Sequence, residues 1–175
     1  MKTKMTLEDQ QNCFRRWLDD HVAILHHVAR GFAKAEDRDD LMQEILLAVW
    51  KAVPLYRGQS KESTFLYRVS HNAALGWYRF QYKYRKRIEQ AKDEAAHNLP
   101  PARDAPTNEL LEQLYAAIRE LPELDRSLIL LSLDGLNYQE MASMHGLSVS
   151  NIGARLTRIR QQLSKQLTKG ENHEL

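Results

Sequence analysis

Residues 137–165, NYQEMASMHGLSVSNIGARLTRIRQQLSK, leave this chain few choices of fold. They read as a helix, a tight turn and a second helix. The first helix carries Met141, Ala142 and Met144, and the turn is His145-Gly146-Leu147. Gly146 is free to take the positive φ that a sharp corner needs. Ser148 suits the cap of the second helix, because its hydroxyl accepts from a backbone N–H that has no partner in the first turn. Ile152, Leu156, Ile159 and Leu163 then recur at three- and four-residue spacing and form one apolar stripe. Gly153, Ala154, Arg155, Thr157, Arg158 and Arg160 lie off that stripe. No acidic residue occurs between Met141 and Gly170. A helix with one buried stripe and an acid-free basic face is what a DNA major groove accepts. The plainer reading is a helical hairpin whose basic face is merely solvated.

The rest of the chain is helical in pattern, and no stretch alternates with period two. Residues 7–32 carry Phe14, Trp17, Leu18, His21, Leu25 and Val28 at helical spacing, with Gly31 placed to end the helix. Residues 37–53, DRDDLMQEILLAVWKAV, form a second amphipathic helix with Leu41, Ile45, Ala48 and Val49 on one face. Asp37, Asp39 and Asp40 complement the dipole at its start, and Pro54 ends it. Residues 55–63 form a loop pivoting on Gly58, and a third helix is expected from about Thr64 to about Ala91. Three of the five prolines fall in residues 93–108, DEAAHNLPPARDAPTN, which predicts an extended linker. Beyond it, residues 109–121 (Leu110, Leu114, Ala117, Ile118, Leu121) form another helix. The next runs from Pro122 to Gly135, ahead of the helix-turn-helix. The expected fold is all-α, with two small helical domains, 1–92 and 109–170, joined by the Pro-rich linker 93–108.

Charge is distributed in blocks, and this matters more than its sum of +2. Residues 36–44 are acidic, whereas residues 79–92 hold six Lys or Arg against one Glu. Separate blocks of opposite sign suggest two different partners, one of them polyanionic. No run of about eighteen apolar residues is present, and the N-terminal residues lack a signal-peptide core. The single Cys13 excludes an intramolecular disulfide, so a reducing cytoplasm is the expected compartment.

The third helix interleaves Phe65, Tyr67, Trp77, Tyr78, Phe80, Tyr82 and Tyr84 with Arg68, Arg79, Lys83, Arg85, Lys86 and Arg87. These rings cannot all face one core. Phe65, Leu66 and Val69 are expected inside, while residues 78–87 are expected to meet nucleic acid. Aromatic faces stack on bases, and cations beside them attract phosphates.

Two stretches together resemble one family. They are DRDDLMQEILLAVWKAV with STFLYRVSHNAALGWYR, and LPELDRSLILLSLDGLNYQEMASMHGLSVSNIGARLTRIRQQL beyond the linker. The chain resembles a bacterial RNA polymerase sigma factor of the extracytoplasmic-function (ECF) group, built from sigma domains 2 and 4. The resemblance implies that Asp40, Gln43, Glu44 and Leu47 dock on the clamp helices of the polymerase β′ subunit. It implies that residues 55–64, with Ser60 and Lys61, form a loop that captures a flipped base of the −10 element. Asn72, Trp77, Tyr78, Arg79, Tyr82 and Lys83 are the further −10 candidates. Gly76 stands where some relatives carry a polar, base-contacting residue. In domain 4 it implies that Ser148, Asn151, Arg155, Thr157, Arg158 and Arg160 meet the −35 element, and that an apolar surface binds the β flap. Further implications are an anti-sigma factor as partner, a cytoplasmic location (held at the membrane through that partner), and neither cofactor nor metal.

Two other readings compete. An ordinary helix-turn-helix transcriptional regulator with an N-terminal interaction module would need neither the acidic helix nor the aromatic-basic one. A metal protein or enzyme would have to use His21, His26 and His27 with Glu44. His21 and His26 are five residues apart, which is poor spacing for two ligands on one helix. No P-loop, dinucleotide-binding turn or nucleophile motif is present.

Overall fold

The computed structural model describes residues 5–91 and 109–171, with the side chains of 85–91 and 169–171 left aside. The expected linker, and the Arg85, Lys86 and Arg87 side chains, therefore lie outside the described residues. Every regular element described is helical: α1 (Leu7–Phe32), α2 (Arg38–Ala52), α3 (Glu62–Ala91), α4 (Glu109–Glu120), α5 (Glu123–Leu133), α6 (Tyr138–His145) and α7 (Val149–Glu171). Short 3-10 turns precede α2 and follow it. Helices α1–α3 belong to one compact unit and α4–α7 to a second.

In the first unit α1 starts on a capping box. Thr6 Oγ1 accepts from the Asp9 N–H at 3.1 Å, and the Asp9 carboxylate accepts from the Thr6 N–H at 3.2 Å. Trp17, Leu25, Val28, Ala29 and Phe32 turn inward. Gly31 does not end the helix as expected. It is helical and buried among those residues, and α1 stops one residue later where Ala33 becomes extended.

Helix α2 buries Leu41, Ile45, Val49 and Ala52, leaving Ala48 at the edge of that face. Pro54 does not stop the chain outright; Val53–Leu55 continue as a 3-10 turn. Having no N–H, Pro54 leaves the Trp50 carbonyl without its helical donor. Gln10 of α1 supplies one, its Nε2 donating to Trp50 O at 2.9 Å.

Helix α3 begins at Glu62, two residues before the expected start, where Glu62 pairs with Arg16 of α1 at 2.6 Å. Its buried face is Leu66, Tyr67, Ser70, His71 and Ala74. The expectation that Phe65 and Val69 are core holds only in part: both are half-buried, while Tyr67 is fully enclosed. Helix α1 decides this register, because it presents large rings at two levels. Trp17 gathers Tyr56 (5.4 Å between centroids) and Phe65 (5.8 Å). Phe32 meets His71 edge-on at 5.2 Å, and His71 stacks on Tyr67 at 5.9 Å. Edge and offset contacts of this kind stabilise by about 0.5–1.5 kcal/mol beyond area burial.

In the second unit α4 buries Tyr115, Ala117 and Ile118. Leu110, expected on the same face, is 61% exposed in the first turn. Helix α5 buries Arg126, Ser127, Leu128, Ile129, Leu130 and Leu131, so it runs through the middle of the unit. The Arg126 guanidinium donates to the backbone carbonyls of Arg119 and Leu121. A buried cation thus closes the carbonyl end of α4, where the helix dipole favours positive charge. Gly135 takes φ +77°, and Leu136 N–H returns to Leu131 O at 3.1 Å. This is a Schellman-type stop.

Candidate nucleic-acid interface

Asn137 caps α6 with Glu140 as its reciprocal partner, both bonds being 2.9 Å. Gly146 turns the corner at φ +65°, and Leu147 N–H bonds Ala142 O at 3.1 Å. Ser148 Oγ then accepts from Asn151 N–H at 3.2 Å and starts α7. The stripe of Ile152, Leu156, Ile159 and Leu163 is buried. Burying each such side chain contributes about 1.5–3 kcal/mol.

The α7 candidates divide into three groups. Asn151, Thr157 and Arg158 are exposed, and Ser150, Ala154 and Gln161 share their side of the helix by spacing. Arg155 leans to one flank, donating to Asp125 Oδ1 of α5 at 2.8 Å and to Asn151 Oδ1 at 3.0 Å. Arg160 lies on the other flank, with Nη2 donating to Ser132 Oγ at 2.9 Å. Gly153 is no opening for a base contact, because the ring of Tyr138 lies over it. A Cβ at Gly153 would stand 3.5 Å from Tyr138 Cε2. Sequence reasoning missed Asp125 and Tyr138, which no local pattern connects to α7. It also missed Ser150 and Gln161, which the helical spacing itself would have found.

At the ends of α5 and α6 two groups are perturbed. Burial pushes the Asp134 carboxyl up to about 7. The same desolvation holds the His145 imidazole below its usual value. Between α4, α5 and α7 a groove of about 550 Å³ is lined by Leu114, Ile129, Leu133, Leu163 and Leu167, with Arg160 at its polar side.

In the first unit Asn72, Gly76, Arg79 and Lys83 follow one another along the exposed side of α3. Nothing stands within 4 Å of a Cβ built on Gly76, so that strip is bare in its middle. Tyr82 is 60% exposed beside it. Trp77 and Tyr78 are half-buried, and Tyr78 packs edge-on against Phe32 at 6.4 Å. Phe80 and Tyr84, inside the 78–87 segment expected to meet nucleic acid but not named individually for the −10 element, are more open and stack on each other at 6.4 Å with an 8° tilt. Their i, i+4 spacing was the available signal. The loop before α3 is folded down by Tyr56, whose hydroxyl donates to Ser60 O at 2.7 Å. Gly58 takes φ +68° there, Ser60 is half-buried and Lys61 exposed.

Asp40, Gln43, Glu44 and Leu47 are all exposed on the side of α2 away from its core residues. Leu47 is 47% exposed one turn beyond Glu44, a small apolar spot at the end of the acidic face. Among the described residues no group of three or more His, Cys, Asp or Glu is placed to hold a metal ion, and no helix is long and apolar enough to cross a membrane.

Residues 14–84 match the family Sigma-70 region 2, and residues 111–163 match Sigma-70, region 4. The chain is 29% identical over 180 aligned positions to RNA polymerase sigma factor YlaC of Bacillus subtilis, covering 99% of each protein. It is 30% identical over 155 positions to ECF RNA polymerase sigma factor EcfG of Rhodopseudomonas palustris, covering 85% of this chain and 83% of that one. Its fold is similar to that of the sigma factor RpoE from Bartonella quintana, solved in complex with the anti-sigma factor NepR. The TM-score is 0.67 at 23% identity, over 89% of this chain and 96% of that one.

Proposed function

Because this chain belongs to the extracytoplasmic-function group of RNA polymerase sigma factors and acts in transcription initiation, we propose a division of labour among its helices. Helix α7 enters the −35 major groove. The exposed strip of α3 and the loop at Ser60 and Lys61 take the −10 element and help to open its strands. The outward face of α2, with Asp40, Gln43, Glu44 and Leu47, docks on the β′ clamp helices. The groove beside Leu133 receives the β flap. The observation that carries this reading is the two-sidedness of α7. One side is a buried stripe, and the other is exposed, basic and free of acid.

Within this reading Thr157, Arg158 and Asn151 contact −35 bases or phosphates directly, and Arg155 reaches the groove from its flank. On α3, Asn72, Arg79, Tyr82 and Lys83 contact the −10 strand. Trp77 and Tyr78 support that surface from beneath, and Phe80 and Tyr84 offer an added stacking face. The chain contributes no chemistry of its own; it places the polymerase. An anti-sigma factor in the cytoplasm is its regulatory partner, in keeping with the partner named for the Bartonella relative. A helix-turn-helix regulator working alone leaves the region 2 match and the acidic α2 face without a purpose.

The test is initiation by core polymerase on promoter fragments with and without the chain. Specific start sites that depend on the chain are expected. Arg158→Ala should lower −35 affinity by about 1–3 kcal/mol. Asp40→Ala with Gln43→Ala should weaken core binding without loss of helix content. Unaltered affinities would remove those residues from the interface.

A further inference from the structure

The guanidinium of Arg155 is already held before any DNA arrives. Its Nη1 donates to Asp125 Oδ1 at 2.8 Å and its Nε to Asn151 Oδ1 at 3.0 Å. Asp125 stands in the first turn of α5, thirty positions earlier in the chain. Neither side chain is deeply buried: 33% of Arg155 and 23% of Asp125 remain exposed. The pair therefore lies at the rim of α7, between its stripe and its outward face.

This arrangement has two physical effects. A guanidinium carries five N–H donors in a rigid plane, and here two are engaged, one by Asp125 of α5 and one by Asn151 of α7 itself. Held at two of its nitrogens, the plane is oriented before binding. Ordering that long side chain in advance removes a cost that binding would otherwise carry. The second effect is electrostatic. A carboxylate at 2.8 Å cancels most of the arginine's charge as felt by a phosphate several ångströms away. What remains is directional hydrogen bonding without much long-range attraction. The first serves discrimination between bases, and the loss of the second reduces sequence-independent binding.

We propose that Asp125 is a positioning residue that sets how selectively α7 reads duplex DNA. It holds Arg155 in one orientation and neutralises it, so that Arg155 discriminates between bases and adds little general attraction. The inference rests on the reading that α7 enters the −35 groove.

The experiment uses the full chain bound to core polymerase. A preferred duplex is selected from a random duplex pool, and its affinity is compared with that of a scrambled duplex between about 50 and 200 mM salt. Asp125→Ala should bind the scrambled duplex several-fold more tightly at low salt. Its salt slope should steepen by about one unit, and its preference should fall about tenfold. Asp125→Asn keeps an acceptor of the same shape. It should recover most of the preference while keeping the steeper slope. Arg155→Ala should lose the preference without steepening, and adding Asp125→Ala to it should cost no further preference. Thermal unfolding of each variant checks that the second unit is intact.

Wild-type slope and preference in both Asp125 variants would overturn the proposal. So would equal weakening on both duplexes with an unchanged slope, which is the mark of a merely structural contact. If Arg155→Ala is silent while Arg158→Ala acts, the proposal fails but α7 remains the reader. If both are silent, the placement of α7 in DNA has failed first.

Discussion

Gly153→Ala is expected to stabilise the second unit by about 1 kcal/mol. Glycine inside a helix is about 0.8–1.0 kcal/mol worse than alanine, chiefly through backbone entropy. Gly153 lies five residues into α7 with ordinary helical φ, so that gain is available unless the new methyl meets an obstacle. Its neighbours would be Tyr138 Cε2 at 3.5 Å and Cδ2 at 3.8 Å, both ordinary contact distances. Two such carbon contacts contribute about 0.1–0.2 kcal/mol each. For a unit of this size, 1 kcal/mol corresponds to a Tm rise of about 4–8 °C. The assay is thermal unfolding of the full chain, followed in two ways. All three tryptophans (Trp17, Trp50 and Trp77) lie in the first unit, so their fluorescence reports that unit alone. Circular dichroism reports both. The variant should move the dichroism transition of the second unit and leave the tryptophan transition where it was. A lower Tm would refute the reasoning, because the Tyr138 ring would then be unable to accept a methyl group.

Three other perturbations test the architecture. The raised Asp134 carboxyl means that the folded state holds a proton the unfolded chain releases near pH 4. Stability of the second unit should therefore fall as pH rises from about 4 to about 7, with no further loss above. Asp134→Asn should remove that decline and be the more stable form at pH 8 by on the order of 2 kcal/mol, a value discounted because the carboxyl keeps some solvent contact; equal pH profiles from denaturant titration would count against it. Gln10→Ala strips the Trp50 carbonyl of its donor and should lower the tryptophan-monitored stability by about 0.5–1.5 kcal/mol. Arg126→Ala removes the buried donor of the Arg119 and Leu121 carbonyls and should cost about 3 kcal/mol or more, melting the second unit while the first stays folded; retained dichroism at room temperature with near-normal Tm would deny Arg126 that role.

What was legible in the sequence were features decided by neighbours along the chain. The Ser148 cap, the Gly146 corner and the α7 stripe all follow from local rules, and all three are in the structure. The exposed acidic side of α2 follows from its periodicity. Features decided by distant partners were not legible. Helix α3 is aromatic all round, so its own pattern cannot say which ring is enclosed. Trp17 and Phe32 of α1 select Tyr67 and His71. Asp125 in a first turn reads as a response to the helix dipole, and nothing nearby announces Arg155. Gly31 looked like a helix stop because glycine serves equally well as a small packing face. Pro54 looked like a hard stop because the Gln10 side chain that satisfies the orphaned carbonyl lies 40 residues away.

The stripe on α7 also has a meaning in time. Leu156, Ile159 and Leu163 help to close the core of the second unit, and they leave the ribosome after everything they pack against. The first unit has all its helices once α3 has emerged. At about 5–20 residues per second, roughly 4–15 s separate the end of α3 from Leu163. During that interval a folded first half trails a second half that has nothing to fold on. A break in translation or a proteolytic cut before Leu163 therefore removes α4–α7 as one block, not α7 alone. On the proposed division of labour, the product would keep the α2 face that docks on polymerase and lack the helix that reads DNA, a form that occupies polymerase without directing it.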